Sequence, residues 1–484
     1  MTSLRGRGGV GRGPESRRGG EMAAEQDPEA LAAARPLLTD LYQATMALGY
    51  WRARRAREQA EFELFFRGCP FGGAFALAAG LRDCVRFLRA FRLRDADVQF
   101  LASVLPPDTE PAFFEHLRGL DCSDVTVRAL PEGSLAFPGV PLLQVCGPLL
   151  VVQLLETPLL CLVSYASLIA TNAARLRLIA GPKKRLLEMG LRRAQGPDGG
   201  LTASTYSYLG GFDGSSNVLA GQLRGVPVAG TLAHSFITSF LGTEVPPNPA
   251  QEIRKIFRTI SAQFQVPWLE SVSITVSNNI NEEELARLAQ EGSEVNVIGI
   301  GTNVVTCPRQ PSLGCVYKLV SVGGQPRMKL TEDPEKQTLP GSKAAFRLLG
   351  ADGEAPPTPR GPSQVPRPPA LFLAHTGSPL LDVLQLVDEP PPQAGQELRV
   401  WPRGAQEACT VRPAHVEPLL RLWVRRGQLC EPLPSLAESR AFAQLSLSRL
   451  SPEHKRLEQP APYRVALSDK LRALVDRLCA GGPS

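Results

Sequence analysis

The stretch V-S-I-T-V-S-N-N-I-N-E-E-E-L-A-R-L-A-Q-E-G-S-E-V-N-V-I-G-I-G-T, Val272–Thr302, decides the fold. Val272–Val276 is a short β-branched run with Ser277, Asn278 and Asn279 at its C-terminal end. Asn281 offers a side-chain cap for a helix running through Gln290. Val295–Ile300 is a second apolar strand, and it ends in Gly301-Thr302. Upstream the same grammar recurs: Val226–Ala229 is a short strand, followed by Gly230, Thr231 and the helix-like run Leu232–Phe240. Strands alternating with helices predict a parallel sheet or an α/β barrel.

Before this region a long helix opens at Thr157-Pro158, with proline in its first turn, and ends at Gly181-Pro182. Residues 125–154 predict short strands broken by Pro and Gly, the mark of a β-rich region. A helix is expected over Leu37–Trp51, capped by Thr39 or Asp40. An alternating strand follows at Glu61–Phe66, then a helix over Leu77–Phe91. From Gln396 strands return, followed by two amphipathic helices that end near Cys479. Two segments stand outside this pattern. Residues 1–21 hold five Arg and two Glu among glycines, too little apolar surface to offset chain entropy. An RNA-binding arm would need interleaved aromatic residues, which are absent there. Residues 354–377 carry seven prolines between Pro356 and Pro369 and predict a disordered insert.

The chain has 484 residues, 43% hydrophobic and 21% charged, so it is an ordinary globular chain rather than a disordered one. Its formal charge of +6 is half carried by the first 21 residues, and the remainder gives no nucleic-acid footprint. Ten cysteines without a C-x-x-C pair argue against a zinc module and for a reducing compartment. The most apolar stretch, Pro148–Ala170, is interrupted by Gln153, Glu156 and Pro158, so no membrane span is expected. No apolar signal core follows the N-terminus. A soluble, cytosolic protein is expected.

Three segments place reactive groups after strands, where α/β barrels carry their chemistry. His234 follows the Val226–Ala229 strand among small residues; a lone histidine is as readily a satisfied capping group. Gly299-Ile300-Gly301-Thr302 lets backbone N–H groups approach an anion, or is simply a tight turn. Its spacing matches neither a dinucleotide fingerprint nor a Walker A loop. Arg192-Arg193, expected at a helix end before the Gly196–Gly200 run, can clamp a phosphate or form a solvated face. Together they suggest a site for a phosphorylated small molecule.

The sequence resembles the nicotinate phosphoribosyltransferase family. The resemblance is carried by L-L-T-D-L-Y-Q-A-T-M-A-L-G-Y-W (Leu37–Trp51) and by F-E-L-F-F-R-G-C-P-F-G-G-A-F-A-L-A-A-G-L (Phe62–Leu81). It continues over Glu188–Gly221, in G-V-P-V-A-G-T-L-A-H-S-F (Gly225–Phe236), in Glu294–Thr302 and over Pro326–Lys343. It implies a type II phosphoribosyltransferase fold, an irregular α/β barrel plus a β-rich domain built from both chain ends, paired as a homodimer. The implied domains are a tail at 1–34, the N-terminal β-rich part at 35–156 and the barrel at 157–306. The C-terminal β-rich part then covers 307–353 and 378–484, around the insert at 354–377. The implied reaction makes nicotinate mononucleotide from nicotinate and 5-phosphoribosyl 1-diphosphate with coupled ATP hydrolysis and Mg²⁺ or Mn²⁺, the first step of NAD synthesis from nicotinate. No nucleic-acid or membrane partner is implied. Tyr42 would stack on nicotinate across the dimer interface, and Thr231 would contact it. His234 would be phosphorylated by ATP. Arg192, Arg193, Asn217, Ser235, Gly301 and Thr302 would serve phosphate and ribose. No metal ligand is identified.

One departure is visible. After the histidine helix the family carries further βα units, including a strand ending in Arg-Leu-Asp-Ser-Gly-Asp. Here Thr243–Pro249 runs directly into Ala250–Arg254, so the barrel is expected to be truncated near 249–250. The alternative function is then an impaired isoform, which only partners another copy or misfolds.

Overall fold

The computed structural model describes residues 35–230, 249–290, 293–329, 331, 336–351 and 377–481. The tail, the Leu232–Phe240 run and all of the proline-rich insert except Gly377 lie outside the described residues.

Helix Glu156–Ala180 is the spine. Pro158 fits its first turn, where no intrahelical N–H is required, and Gly181 at φ +68° ends it. Its middle, Ala166 to Leu176, is buried on every side. It is long and apolar enough to cross a membrane, but 72% of its apolar window is buried inside the protein. A helix that is apolar all round is what a core between two layers demands.

On one side lies an antiparallel sheet of seven strands. Its order is Gln325–Pro326, Cys315–Val322, Gln59–Phe66, Leu143–Pro148, Thr126–Ala129, Arg421–Arg425 and Gln428–Leu429. Three early strands sit at its centre with late strands on both sides, so the β-rich part is built from both chain ends. A second sheet of six strands comes from residues after 342: Cys409–Val411, Leu398–Pro402, Val465–Leu467, Pro379–Leu386, Lys343–Leu349 and His415–Pro418. The two are tied by buried charge. Lys343 Nζ lies 3.2 Å from Glu63 of the first sheet. Within the second, Arg347 grips Asp382 at 2.8 and 2.9 Å, and Tyr463 donates to the same carboxylate at 2.9 Å.

On the other side is a parallel sheet in the order Gly214–Ser215, Arg185–Glu188, Val297–Ile300, Thr275–Ser277. Val228 adds a single parallel bridge to Ser215. In chain order each strand neighbours the next and the last pairs with the first, as in a barrel. Among the described residues the ring is open at one place, between Val228 and Thr275, the two positions that flank 249–250. Across that opening the chain supplies helix Pro249–Phe264, whose Arg254 bonds Glu294, Asn296 and the Glu270 carbonyl.

Several local expectations are corrected. The helix expected from Leu77 starts at Leu81, because Ala76–Leu77 is a strand and Gly80 breaks the chain at φ +98°. A Cβ at Gly80 would lie 2.3 Å from the Leu162 carbonyl oxygen of the spine, so only glycine fits. Within 125–154, Leu149–Leu154 is a helix rather than a strand; an apolar run this short has no periodicity to tell the two apart. Val226–Ala229 is reduced to the Val228 bridge, and Val272–Val276 shifts to Thr275–Ser277.

Candidate active site at the barrel end

The C-terminal ends of the parallel strands gather on one face. Arg185–Glu188 leads into Met189-Gly190 and a 3₁₀ turn, Leu191–Arg193. Arg192 and Arg193 are exposed on that turn, not at the end of a helix as the sequence suggested. Gly214–Ser215 leads into Ser216-Asn217, and Val297–Ile300 into Gly301-Thr302 and the short helix Thr302–Thr306.

The first and last of these loops touch. Met189 donates its N–H to the Ile300 carbonyl at 2.8 Å. A Cβ on Gly190 would fall 2.8 Å from the Gly301 oxygen and 2.5 Å from Val305 Cγ1, so the approach is possible only for glycine. The arginine turn and the Gly301-Thr302 turn are therefore brought together. Asn217 is buried beneath them. Its Oδ1 accepts from the Leu219 and Ala220 N–H groups, capping helix Val218–Arg224, and its amide donates to Ser204 Oγ at 3.1 Å. Both of its polar ends are thus engaged within the protein.

Tyr42 lies in the first turn of helix Leu41–Arg52, which packs against helix Leu149–Leu154 on the β-rich side. Its ring is 46% exposed beside exposed Leu38, Leu41 and Met46. Partial burial, then the nearby Glu156 carboxylate, hold its phenol above the usual value. Thr231, His234 and Ser235 lie outside the described residues. Elsewhere His454 bonds the Ala461 carbonyl at 2.6 Å, and His116 ends helix Pro111–Arg118, its basicity lowered by burial.

Two features escaped the sequence reading. Glu188 is fully buried at the end of its strand, and its carboxylate accepts from Gly190 N–H, Ser204 Oγ and Ser215 Oγ. Its only linear signal is a charge closing the apolar pair Leu186-Leu187. Asn278 and Asn279 follow Thr275–Ser277 with φ of 110° and 50°, a left-handed pair that non-glycine residues seldom adopt. Their place at a strand end was visible, but not their conformation. Among the described residues no group of three His, Cys, Asp or Glu could hold a metal, and the Glu188 oxygens are already committed. The described residues therefore do not fit a protein-held metal ion.

A parallel α/β ring whose glycine turns meet at the strand ends, joined to a β-rich part from both chain ends, is the architecture of a type II phosphoribosyltransferase. Residues 37–164 match the family model for the nicotinate phosphoribosyltransferase N-terminal domain, and residues 371–475 that for its C-terminal domain. The chain is 70% identical to nicotinate phosphoribosyltransferase of Bos taurus and 68% to that of Homo sapiens, each over 95% of this chain and 100% and 99% of the relative. The chain belongs to the nicotinate phosphoribosyltransferase family. The crystal structure of human nicotinic acid phosphoribosyltransferase superposes with a TM-score of 0.77 at 64% identity, covering 91% of this chain and all of that one. The bovine comparison runs over 560 positions, whereas 95% of 484 residues is about 460. About 100 positions of the relative thus have no counterpart here, in keeping with the opening in the ring.

Proposed function

We propose that the chain forms nicotinate mononucleotide from nicotinate and 5-phosphoribosyl 1-diphosphate, with ATP hydrolysis coupled to the transfer. The ring nitrogen of nicotinate forms a bond to ribose C1 as the C1–O bond to diphosphate breaks, and diphosphate leaves. The observation that carries this reading is the contact between the Gly190–Arg193 turn and the Gly301-Thr302 turn. Backbone N–H groups of Gly301 and Thr302 would take the 5-phosphate, and Arg192, with Arg193, the departing diphosphate. Tyr42 is exposed enough to stack on nicotinate bound to the barrel of a second copy, with Thr231 on the other side. His234 is the residue to receive the ATP γ-phosphate; a neutral imidazole is a competent nucleophile near pH 7. Mg²⁺ or Mn²⁺ would arrive on the phosphates of the substrates, where it offsets their charge. Activity in the cytosol as a homodimer completes the reading.

The test is a radiometric assay of purified, folded protein with nicotinate, 5-phosphoribosyl 1-diphosphate, ATP and Mg²⁺. Labelled nicotinate mononucleotide is the expected product, and its absence from folded dimeric protein overturns the reading. With γ-labelled ATP, an acid-labile, base-stable label should appear on wild type and vanish in His234→Ala.

A further inference from the structure

A carboxylate buried away from water is costly unless its oxygens are satisfied. Glu188 is 0% exposed, and the donors on it are neutral: Gly190 N–H on Oε1, with Ser204 Oγ at 2.8 Å and Ser215 Oγ at 2.5 Å on Oε2. The carboxylate accepts from both serine hydroxyls, and each serine oxygen can in turn accept. Asn217 uses both of them. Its backbone N–H donates to Ser215 Oγ at 2.9 Å and its Nδ2 to Ser204 Oγ at 3.1 Å. That fixes which way the Asn217 amide faces and leaves Oδ1 to cap the next helix. The Glu188 carbonyl meanwhile accepts from Ser216 N–H at 2.8 Å. The bonds of the cluster thus converge on one buried carboxylate.

We propose that Glu188 is the positioning residue of the phosphoribosyl site. It holds the Gly190–Arg193 turn, the Ser215–Asn217 turn and, through Gly190, the Gly301-Thr302 turn in one arrangement. Because it is wholly buried it touches no substrate; it sets affinity for the phosphoribosyl donor through the loops it ties. Nicotinate stacking, assigned to Tyr42 on the β-rich side, does not pass through this cluster. The inference rests on the activity proposed above.

The experiment measures binding of 5-phosphoribosyl 1-diphosphate by calorimetry, together with initial rates, for wild type, Glu188→Ala, Glu188→Gln and Ser215→Ala. Leaving buried donors unpaired should weaken donor binding about tenfold or more in Glu188→Ala. The KM for the donor should rise while that for nicotinate stays fixed. Glu188→Gln should recover most of the loss. Its amide oxygen still accepts from Gly190, and the Ser204 hydroxyl can turn to the Gly200 carbonyl 2.9 Å away. If Glu188→Ala does not fold, Ser215→Ala should show the same donor-selective loss at smaller size. Equal losses for both substrates, with no recovery in Glu188→Gln, would reduce Glu188 to packing and overturn the inference. Donor affinity unchanged in every variant would do the same. A wild type that binds no donor would overturn the activity itself, and this inference with it.

Discussion

In the β-rich half the outermost strands are short: Gln325–Pro326 and Gln428–Leu429 close the seven-stranded sheet, and Cys409–Val411 ends the six-stranded one. In the barrel half the sheet stops at Thr275–Ser277 on one side and at the Val228 bridge on the other. Short edges leave few unpaired N–H and C=O groups, whereas parallel strands need both faces covered. The contrast shows in burial: Val297–Ile300 is buried throughout, while Thr275 and Ser277 beside it are exposed. Val228, Ile256, Phe264 and Trp268 are exposed as well. Yet the three strands whose end loops form the proposed phosphate site, Gly214–Ser215, Arg185–Glu188 and Val297–Ile300, form an unbroken arc. Among the described residues the opening does not divide the group of loops proposed to bind phosphate.

If the halves differ in this way, damage to each should register separately. The largest effect belongs to Asp382→Ala, which strands the buried Arg347 guanidinium. Breaking such a pair costs about 3–5 kcal/mol, so the β-rich transition in urea should collapse toward or below the barrel transition. Arg254→Ala should remove about 1–3 kcal/mol by freeing the Glu270 carbonyl and Asn296, and should shift only the barrel transition. Measured by fluorescence and circular dichroism, an equal shift of both transitions by Arg254→Ala would mean that the halves unfold as one. Gly301→Val is smaller still in stability, because Gly301 has φ −106° and an added Cβ would come no closer to a neighbour than 3.3 Å, to the Met189 oxygen. Its isopropyl group should shield the anion-facing N–H groups and weaken donor binding by about tenfold, ~1.4 kcal/mol, with melting unchanged. A matching loss for nicotinate would instead report a disturbed barrel.

The two halves were also unequally legible. The spine was readable within a residue or two, because Thr157-Pro158 and Gly181-Pro182 are local stop and start signals. The both-ends origin of the β-rich part came from family resemblance, since strand pairing across some 250 residues leaves no periodic trace. Val226–Ala229 has the composition of a strand but among the described residues pairs only through Val228, and composition alone does not specify a partner. Among site residues, Gly301-Thr302 stood out as turn chemistry after a strand, and the arginine pair stood out as a phosphate clamp but at a helix end rather than on its 3₁₀ turn. Glu188 did not, because its partners Ser204 and Ser215 lie 16 and 27 residues away and meet only once the strands align. Asn217 was placed near the site by resemblance, but its capping role depends on where helix Val218–Arg224 begins.

The finest probe of the comparison uses two cysteines, one in each half, without any substitution. Cys122 lies just before the Thr126–Ala129 strand of the β-rich half, and Cys307 follows the Thr302–Thr306 helix of the barrel, where Asn172 approaches its sulfur at 3.4 Å. Both are buried, and burial pushes each thiol up to about 12. A group whose folded value is raised adds stability that is intact below its ordinary value, near 8.5, and is lost as pH climbs toward 12. At about pH 8 that contribution is present, and neither thiol supplies the thiolate that reacts while the protein is closed. Labelling by a maleimide then reports local opening, with exposed Cys430 and Cys479 reacting at once as internal standards. If the barrel opens without the β-rich half, Cys307 should label about tenfold or more faster than Cys122, corresponding to ~1.4 kcal/mol less protection. Peptide mass spectrometry over a time course reads both rates from one sample. Equal rates would show that the shortened ring closes as tightly as the sheets beside it, and the contrast drawn from its edges would then carry no cost in stability.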